Sequence, residues 1–170
     1  WDGKTKGTSM TAKPSRAAAA EPVREAELFK LKTPVLSEGR LGNHLIETPL
    51  LRMSMKVYAG GGENTMHTHP YEDHAFVVMQ GQATFHLETD DNTTVVNKNE
   101  GIMLPKGASY WFKSSAKENL VMLRVGAGEK PVGWRAFPDG SNFETIGNPE
   151  NQKINKHVEP ITVPGKFYFE

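Results

Sequence analysis

Three of the six histidines, His67, His69 and His74, fall within one short window of this 170-residue chain. The i, i+2 spacing of His67 and His69 puts both imidazoles on the same face of an extended strand, where two neutral rings can bind one divalent ion. Between them and His74 stand Pro70, Tyr71, Glu72 and Asp73, enough residues to turn the chain and bring His74, at the start of a following strand, back beside the first pair. A three-nitrogen face leaves positions open for water or substrate, the property that separates catalytic from structural metal sites. Such donors suit Fe(II), Ni(II), Zn(II), Mn(II) or Cu(II) far better than Mg(II) or Ca(II). The chain has no cysteine, so thiolate nucleophiles, disulfides and zinc ribbons are excluded and any metal rests on His and oxygen donors. Glu72 and Asp73 are the side chains placed to serve as general acid or base beside the triad.

The elements that would position these residues read as strands. From Leu50 onward Leu51, Met53, Met55 and Val57 alternate with Arg52, Ser54, Lys56 and Tyr58, a period of two. Further strands are expected at Met66 to His69, His74 to Met79, Gln82 to Glu88, Thr93 to Asn97, Gly101 to Leu104, Ser109 to Lys113 and Leu120 to Val125, separated by Gly, Pro, Asn and Asp. Eight short strands so close together make a sandwich or barrel. One short helix is permitted between Glu21 and Lys30, with Pro22 at its first turn. The expected organisation is an N-terminal arm over 1–30, a barrel over 31–127 and a C-terminal arm over 128–170. That last arm is rich in Pro and Gly but carries Trp134, Phe137, Phe143 and Phe167 to Phe169, so it is expected to pack irregularly on the barrel or on a second subunit. Met10 stands where a natural start would suit, and the nine polar residues before it read as a non-native extension.

Two spaced motifs carry a family resemblance. Gly61-x5-His67-x-His69-x4-His74-x6-Gly81 resembles the first cupin motif, G-x5-H-x-H-x(3,4)-E-x6-G. Asn99-x5-Pro105-x-Gly107-x2-Tyr110 resembles the second, G-x5-P-x-G-x2-H. The short spacer, Gln82 to Lys98, is similar to that of compact single-domain microbial cupins. The resemblance implies an all-β fold, an antiparallel jelly-roll barrel, holding a metal through the two H-x-H imidazoles, the motif's Glu and the second motif's His. Here His74 aligns with that Glu by its distance to Gly81, and Tyr110 aligns with that His. An all-histidine site of this kind implies an oxygenase, in particular a dioxygenase using iron, on a small chelating substrate. Tyr110 is expected either to ligate the metal as phenolate, which requires the metal to acidify it, or to face the substrate.

The alternatives within this resemblance are a redox-silent Lewis-acid isomerase, lyase or hydrolase, in which Glu72 or Asp73 moves the proton, and a small-molecule binding cupin without catalysis. Fold alone does not decide among them. Arg52 and Arg124 would receive a substrate carboxylate if their faces point inward. His86 reads as an ordinary cross-strand residue, His44 and His157 have no assigned role, and the methionines read as core packing. Equal numbers of acidic and basic residues, 20 each, give no electrostatic footprint for nucleic acid or an anionic membrane surface. No apolar run approaches the length of a membrane span. A cytoplasmic homodimer acting on a small molecule, with one Fe(II)-like ion per chain, is the expectation.

Overall fold

The alternation that begins at Leu51 becomes the middle of a curved sheet because both of its faces find cover, each of a different kind. The computed structural model describes residues 25–60, 65–115, 117–128, 135–137 and 159–169. The elements are β1 (Thr33–Glu38), β2 (Arg40–Glu47), β3 (Leu51–Tyr58), β4 (Glu72–Gln80), β5 (Gln82–Leu87), β6 (Thr93–Asn97), β7 (Gly101–Leu104), β8 (Tyr110–Ser114), β9 (Leu120–Gly128) and β10 (Ile161–Tyr168). A five-stranded sheet of order β2-β3-β9-β4-β7 faces a three-stranded sheet of order β6-β5-β8, and β1 pairs with β10 in a third, two-stranded sheet. All pairings are antiparallel, giving a jelly-roll barrel. No helix among the described residues is long and apolar enough to cross a membrane.

Between the two larger sheets lies an aromatic core. Phe76, Phe85, Phe112 and Tyr110 pack ring against ring, with Tyr58, Val78, Leu120 and Met122 filling in, and close one end of the barrel. A second apolar cluster sits on the outside of the five-stranded sheet, where Met55 and Val57 of β3 and Val121 of β9 pack on Leu36 of β1. The β1–β10 pair is the roof of that cluster. Asn119 ties it down, accepting from the Leu36 amide at 2.7 Å and donating to the Leu36 carbonyl at 2.9 Å. Tyr168 of β10 packs on the same cluster.

Three expectations are corrected. Residues 25–30 are irregular, so the short helix is absent from the part of its range that is described; its start, residues 21–24, lies outside the described residues. Ile161–Tyr168, placed in an irregular arm, is a strand. Its Pro164 and Gly165 read as a breaker, but the β1–β10 register shifts between Pro34 and Leu36 accommodate them, with Gly165 at φ +69°. Residues Met66 to His69 form no strand either: only His67 and Thr68 make isolated bridges, to Tyr110 and Ala136.

Candidate metal centre

The H-x-H segment is held in place from both sides. His67 exchanges two backbone hydrogen bonds with Tyr110, at 3.1 and 3.0 Å, which adds it to the free edge of β8. Thr68 exchanges two with Ala136, at 2.8 and 3.0 Å. Extended backbone then sends His67 and His69 to one side and Thr68 to the other. Opposite them, β4 begins at Glu72, two residues earlier than the sequence suggests, so Glu72 and His74 share its inner face. All four side chains are buried. Ring centroids lie 5.1 Å apart for His67 and His69 and 4.0 Å for His69 and His74. Ligand atoms of His69, Glu72 and His74 lie within 4.8 Å of one another.

Hydrogen bonding fixes which nitrogens are available. His67 donates from Nδ1 to the Thr65 carbonyl at 2.7 Å, which leaves its buried Nε2 lone pair with no hydrogen-bond partner, although His67 lies outside the close group of His69, Glu72 and His74. His69 Nδ1 is likewise buried without a hydrogen bond and lies 3.5 Å from Glu72 Oε1. Nε2 of His74 lies 2.5 Å from Glu72 Oε1, and Arg124 Nη2 reaches both, 2.7 Å from the carboxylate and 2.6 Å from the imidazole. Two lone-pair atoms that close must share a proton or a cation. Burial keeps the imidazoles neutral: it pushes His67 down to about 3, helped by the Arg135 charge, and lowers His69 and His74 as well. Neutral nitrogens with unused lone pairs beside a buried carboxylate fit a divalent transition metal.

Tyr110 lies against the far side of this cluster. Its hydroxyl is 2.9 Å from His74 Nδ1, so it orients the His74 ring, and burial holds the phenol well above its usual pKa. Asp73 points the opposite way from Glu72, exposed on the outer face, where its carboxylate accepts the Lys106 amide at 2.8 Å. The pleat therefore separates two adjacent acids that the sequence offered as equivalent. Glu72 joins the histidines and Asp73 anchors a turn. The donor set consequently contains an anion, whereas substitution of the motif's Glu by His74 had suggested a site of neutral ligands alone.

Above the cluster opens a cavity of about 390 Å³ lined by Arg40, Arg52, Lys56, Arg124 and Arg135, with His44 and Ser54. Arg52 and Arg124 do face inward. Arg40, Lys56, Arg135 and His44 are residues the sequence left without a role, and the signal that finds three of them, Arg40, His44 and Lys56, is the polar half of the β3 alternation and its β2 partners. His86 is a cross-strand partner of Trp111, stacked at 3.8 Å and 8° and bound through Nδ1 to the Asp90 carbonyl. His157 and Gly61 lie outside the described residues.

The cupin domain family model matches residues 53–126. Acireductone dioxygenase of Pseudomonas fluorescens is 33% identical over 76 residues, which is 44% of this chain and 40% of that protein. The chain thus spans well under half the length of this curated relative. Among solved structures, a conserved protein with a double-stranded β-helix domain from Klebsiella pneumoniae superposes with a TM-score of 0.53 at 19% identity, covering 62% of this chain and 93% of the other. The cupin domain of Cnp3 from Schizosaccharomyces pombe superposes at 0.50 with 18% identity, covering 55% and 68%. At these identities the structural likeness is one of fold.

Proposed function

This chain carries a compact cupin domain, and on that premise we propose that it is a metal-dependent oxygenase acting on a small organic substrate that chelates the metal through adjacent oxygen donors. The observation that carries this reading is the buried group of His69, Glu72 and His74, whose ligand atoms lie within 4.8 Å of one another, with lone pairs at His69 Nδ1 and, on the neighbouring ring, His67 Nε2 that have no hydrogen-bond partner. His67, His69, His74 and Glu72 would hold the ion, Fe(II) in the first instance, with Ni(II), Zn(II), Mn(II) and Cu(II) also suited to the donors. When bound, the metal supplies a Lewis-acidic and redox-capable centre for the chelated substrate. The likeness to acireductone dioxygenase supports the oxidative choice.

The protein's own groups do the rest. Tyr110 orients His74, Arg124 donates to the Glu72 carboxylate at 2.7 Å, and the aromatic core packs beneath the cluster. One observation favours a second reading, a binding cupin without metal: the Arg124 guanidinium already bridges Glu72 and His74 and supplies a cation there. Elemental analysis after metal-supplemented expression separates the two. About one ion per chain is expected in the native protein and close to none in a His67→Ala, His69→Ala double variant; equal content in both overturns metal binding. Oxygen uptake by iron-loaded protein with diketones, catechols or hydroxyacetophenones then tests the oxidation, and turnover without uptake would replace it with Lewis-acid chemistry.

A further inference from the structure

The cavity wall is unusual in what it lacks. Among the described residues its lining includes four arginines and a lysine but no aspartate or glutamate, while Glu72 is engaged by Arg124 at 2.7 Å and Glu47 by Arg52 at 3.9 Å. The sheet register shows how the charges are arranged. Ser54 lies opposite Arg124 on β9, and Arg52 and Lys56 flank it along the same face of β3. Three cations therefore surround one serine. Ser54 is 6% exposed, and its hydroxyl is buried with no hydrogen-bond partner. Lys56 has no carboxylate partner among the described residues. Across from it on β2 stands Gly42, where a Cβ would lie only 3.0 Å from the Lys56 ammonium, so the absence of a side chain there keeps room for the amine.

Like charges gathered around an unsatisfied hydroxyl cost free energy unless an anion completes them. The same conclusion follows from the lysine itself, whose pKa is lowered to about 8, first by burial and then by the charges of Arg124, Arg135, Arg40 and Arg52. Four separate guanidiniums act on it in the same direction. Arg52 and Arg124 each have a carboxylate partner, so the Lys56 ammonium is the charge of this trio left for an anion to meet.

We propose that this wall is an oxyanion subsite: the ligand is a small organic acid whose carboxylate, or another oxyanion in its place, docks at the Ser54 hydroxyl and the Lys56 ammonium with Arg52 and Arg124 on its flanks. The subsite defines the substrate class of the oxygenase reading and rests on that reading for the reaction, but docking itself requires no metal. The remaining oxygen donors of the acid then face His69, the imidazole of the cluster that lines the cavity.

Titration calorimetry at neutral pH tests this with malonate, inorganic phosphate and the uncharged malonamide, on full-length protein both metal-loaded and stripped by chelator. Malonate or phosphate is expected to bind at least about tenfold tighter than malonamide in both states, and whichever binds tighter identifies the docked group as carboxyl or phosphoryl. Lys56→Gln is expected to lower that affinity by about tenfold, Ser54→Ala by severalfold, and Lys56→Arg to retain it. Circular dichroism and metal content check that each variant is folded; should Lys56→Gln fail to fold, Ser54→Ala and the loss of affinity with added salt carry the test. Malonamide binding as tightly as both anions overturns the subsite even if the metal is present. Anion binding to a protein that retains no metal leaves the subsite standing and removes the oxygenase.

Discussion

On the outer face of β3, Met55 and Val57 are fully buried beneath Leu36 of β1; one residue along the same strand, on the inner face, Ser54 and Lys56 look into a cavity walled by guanidiniums. In an ordinary two-layer fold the polar half of such an alternation faces solvent and the apolar half faces the interior. Here the assignment is inverted. The polar half faces the inside of the barrel, and the apolar half faces outward and is roofed by β1 and β10. Along β3 from Ser54 to Val57 the inverted pattern divides stability and ligand recognition between the two faces of one strand, so a substitution on either face of this stretch should leave the property of the other nearly untouched.

The hardest test of that division is on the outer face. Met55 is 0% exposed, and Met55→Ala is expected to lower the free energy of unfolding by about 2–5 kcal/mol, through lost burial and the cavity left behind. Metal content and anion affinity should be unchanged at temperatures where the variant is folded. Urea titration beside elemental analysis reads both, and loss of metal from a variant still folded by circular dichroism would show that the faces are coupled.

How far the sequence discloses each face follows from local chemistry. β6 and β7 are where alternation and flanking turn residues put them, and β3 begins one residue later than expected. The motif positions Gly81, Asn99 and Gly107 all adopt positive φ, +78°, +68° and +86°. Asn tolerates that region better than most residues, which explains why Asn99 replaces a glycine at little cost. β2 escapes detection because the register shift between His44 and Ile46 breaks its alternation. β10 escapes because Pro164 and Gly165 mimic a turn and its partner β1 is distant in sequence. At the site, the imidazoles are legible from their spacing. Glu72 is read as a turn residue because Pro70 precedes it, and only the early start of β4 reveals that it shares a face with His74. Arg135 reaches the cavity from a Pro- and Gly-rich tail whose placement no local pattern encodes.

A smaller effect is expected from the inner face, and it has the opposite sign. The groups directed toward Lys56 are Arg40 and His44 on β2, Arg52 and Tyr58 on β3, Arg124 on β9 and Arg135. The Lys56 pKa is depressed on folding from 10.5 to about 8, so between these values the unfolded chain binds the extra proton and stability rises with pH. Below about pH 8 both states are protonated and the full penalty is present. Lys56→Met should therefore stabilise the protein by about 1–2 kcal/mol near neutral pH, less than the full shift implies because the amine reaches cavity water. It should also flatten the rise in urea midpoint between pH 8 and 9.5. Above that window Tyr110 and Tyr168, whose pKa values are raised by burial, pull the other way, because the unfolded chain releases their protons first. A variant less stable than the native protein at pH 7 would mean that the inner face contributes packing rather than recognition.

The smallest effect should come from Asp73, adjacent in sequence to Glu72 and directed to the opposite side of β4. Its carboxylate is exposed and accepts a single amide hydrogen bond, from Lys106 at 2.8 Å, in the turn between β7 and β8. Asp73→Asn keeps an acceptor at that position and removes only its charge, so the expected loss of stability is about 0.5–1 kcal/mol or less. Metal content and malonate affinity should match the native protein, because the pleat turns this side chain away from His69 and His74. Glu72→Gln, one residue away, changes no more atoms, yet it removes the negative charge that Arg124 and the imidazoles share, and should lower metal affinity by about 10–100-fold. Measuring both variants by competition with a chelator gives the difference between neighbouring carboxylates directly. If Asp73→Asn released the metal as readily as Glu72→Gln, the two acids would have to act on one site from opposite faces of a strand, and the separation of function across this sheet would fail.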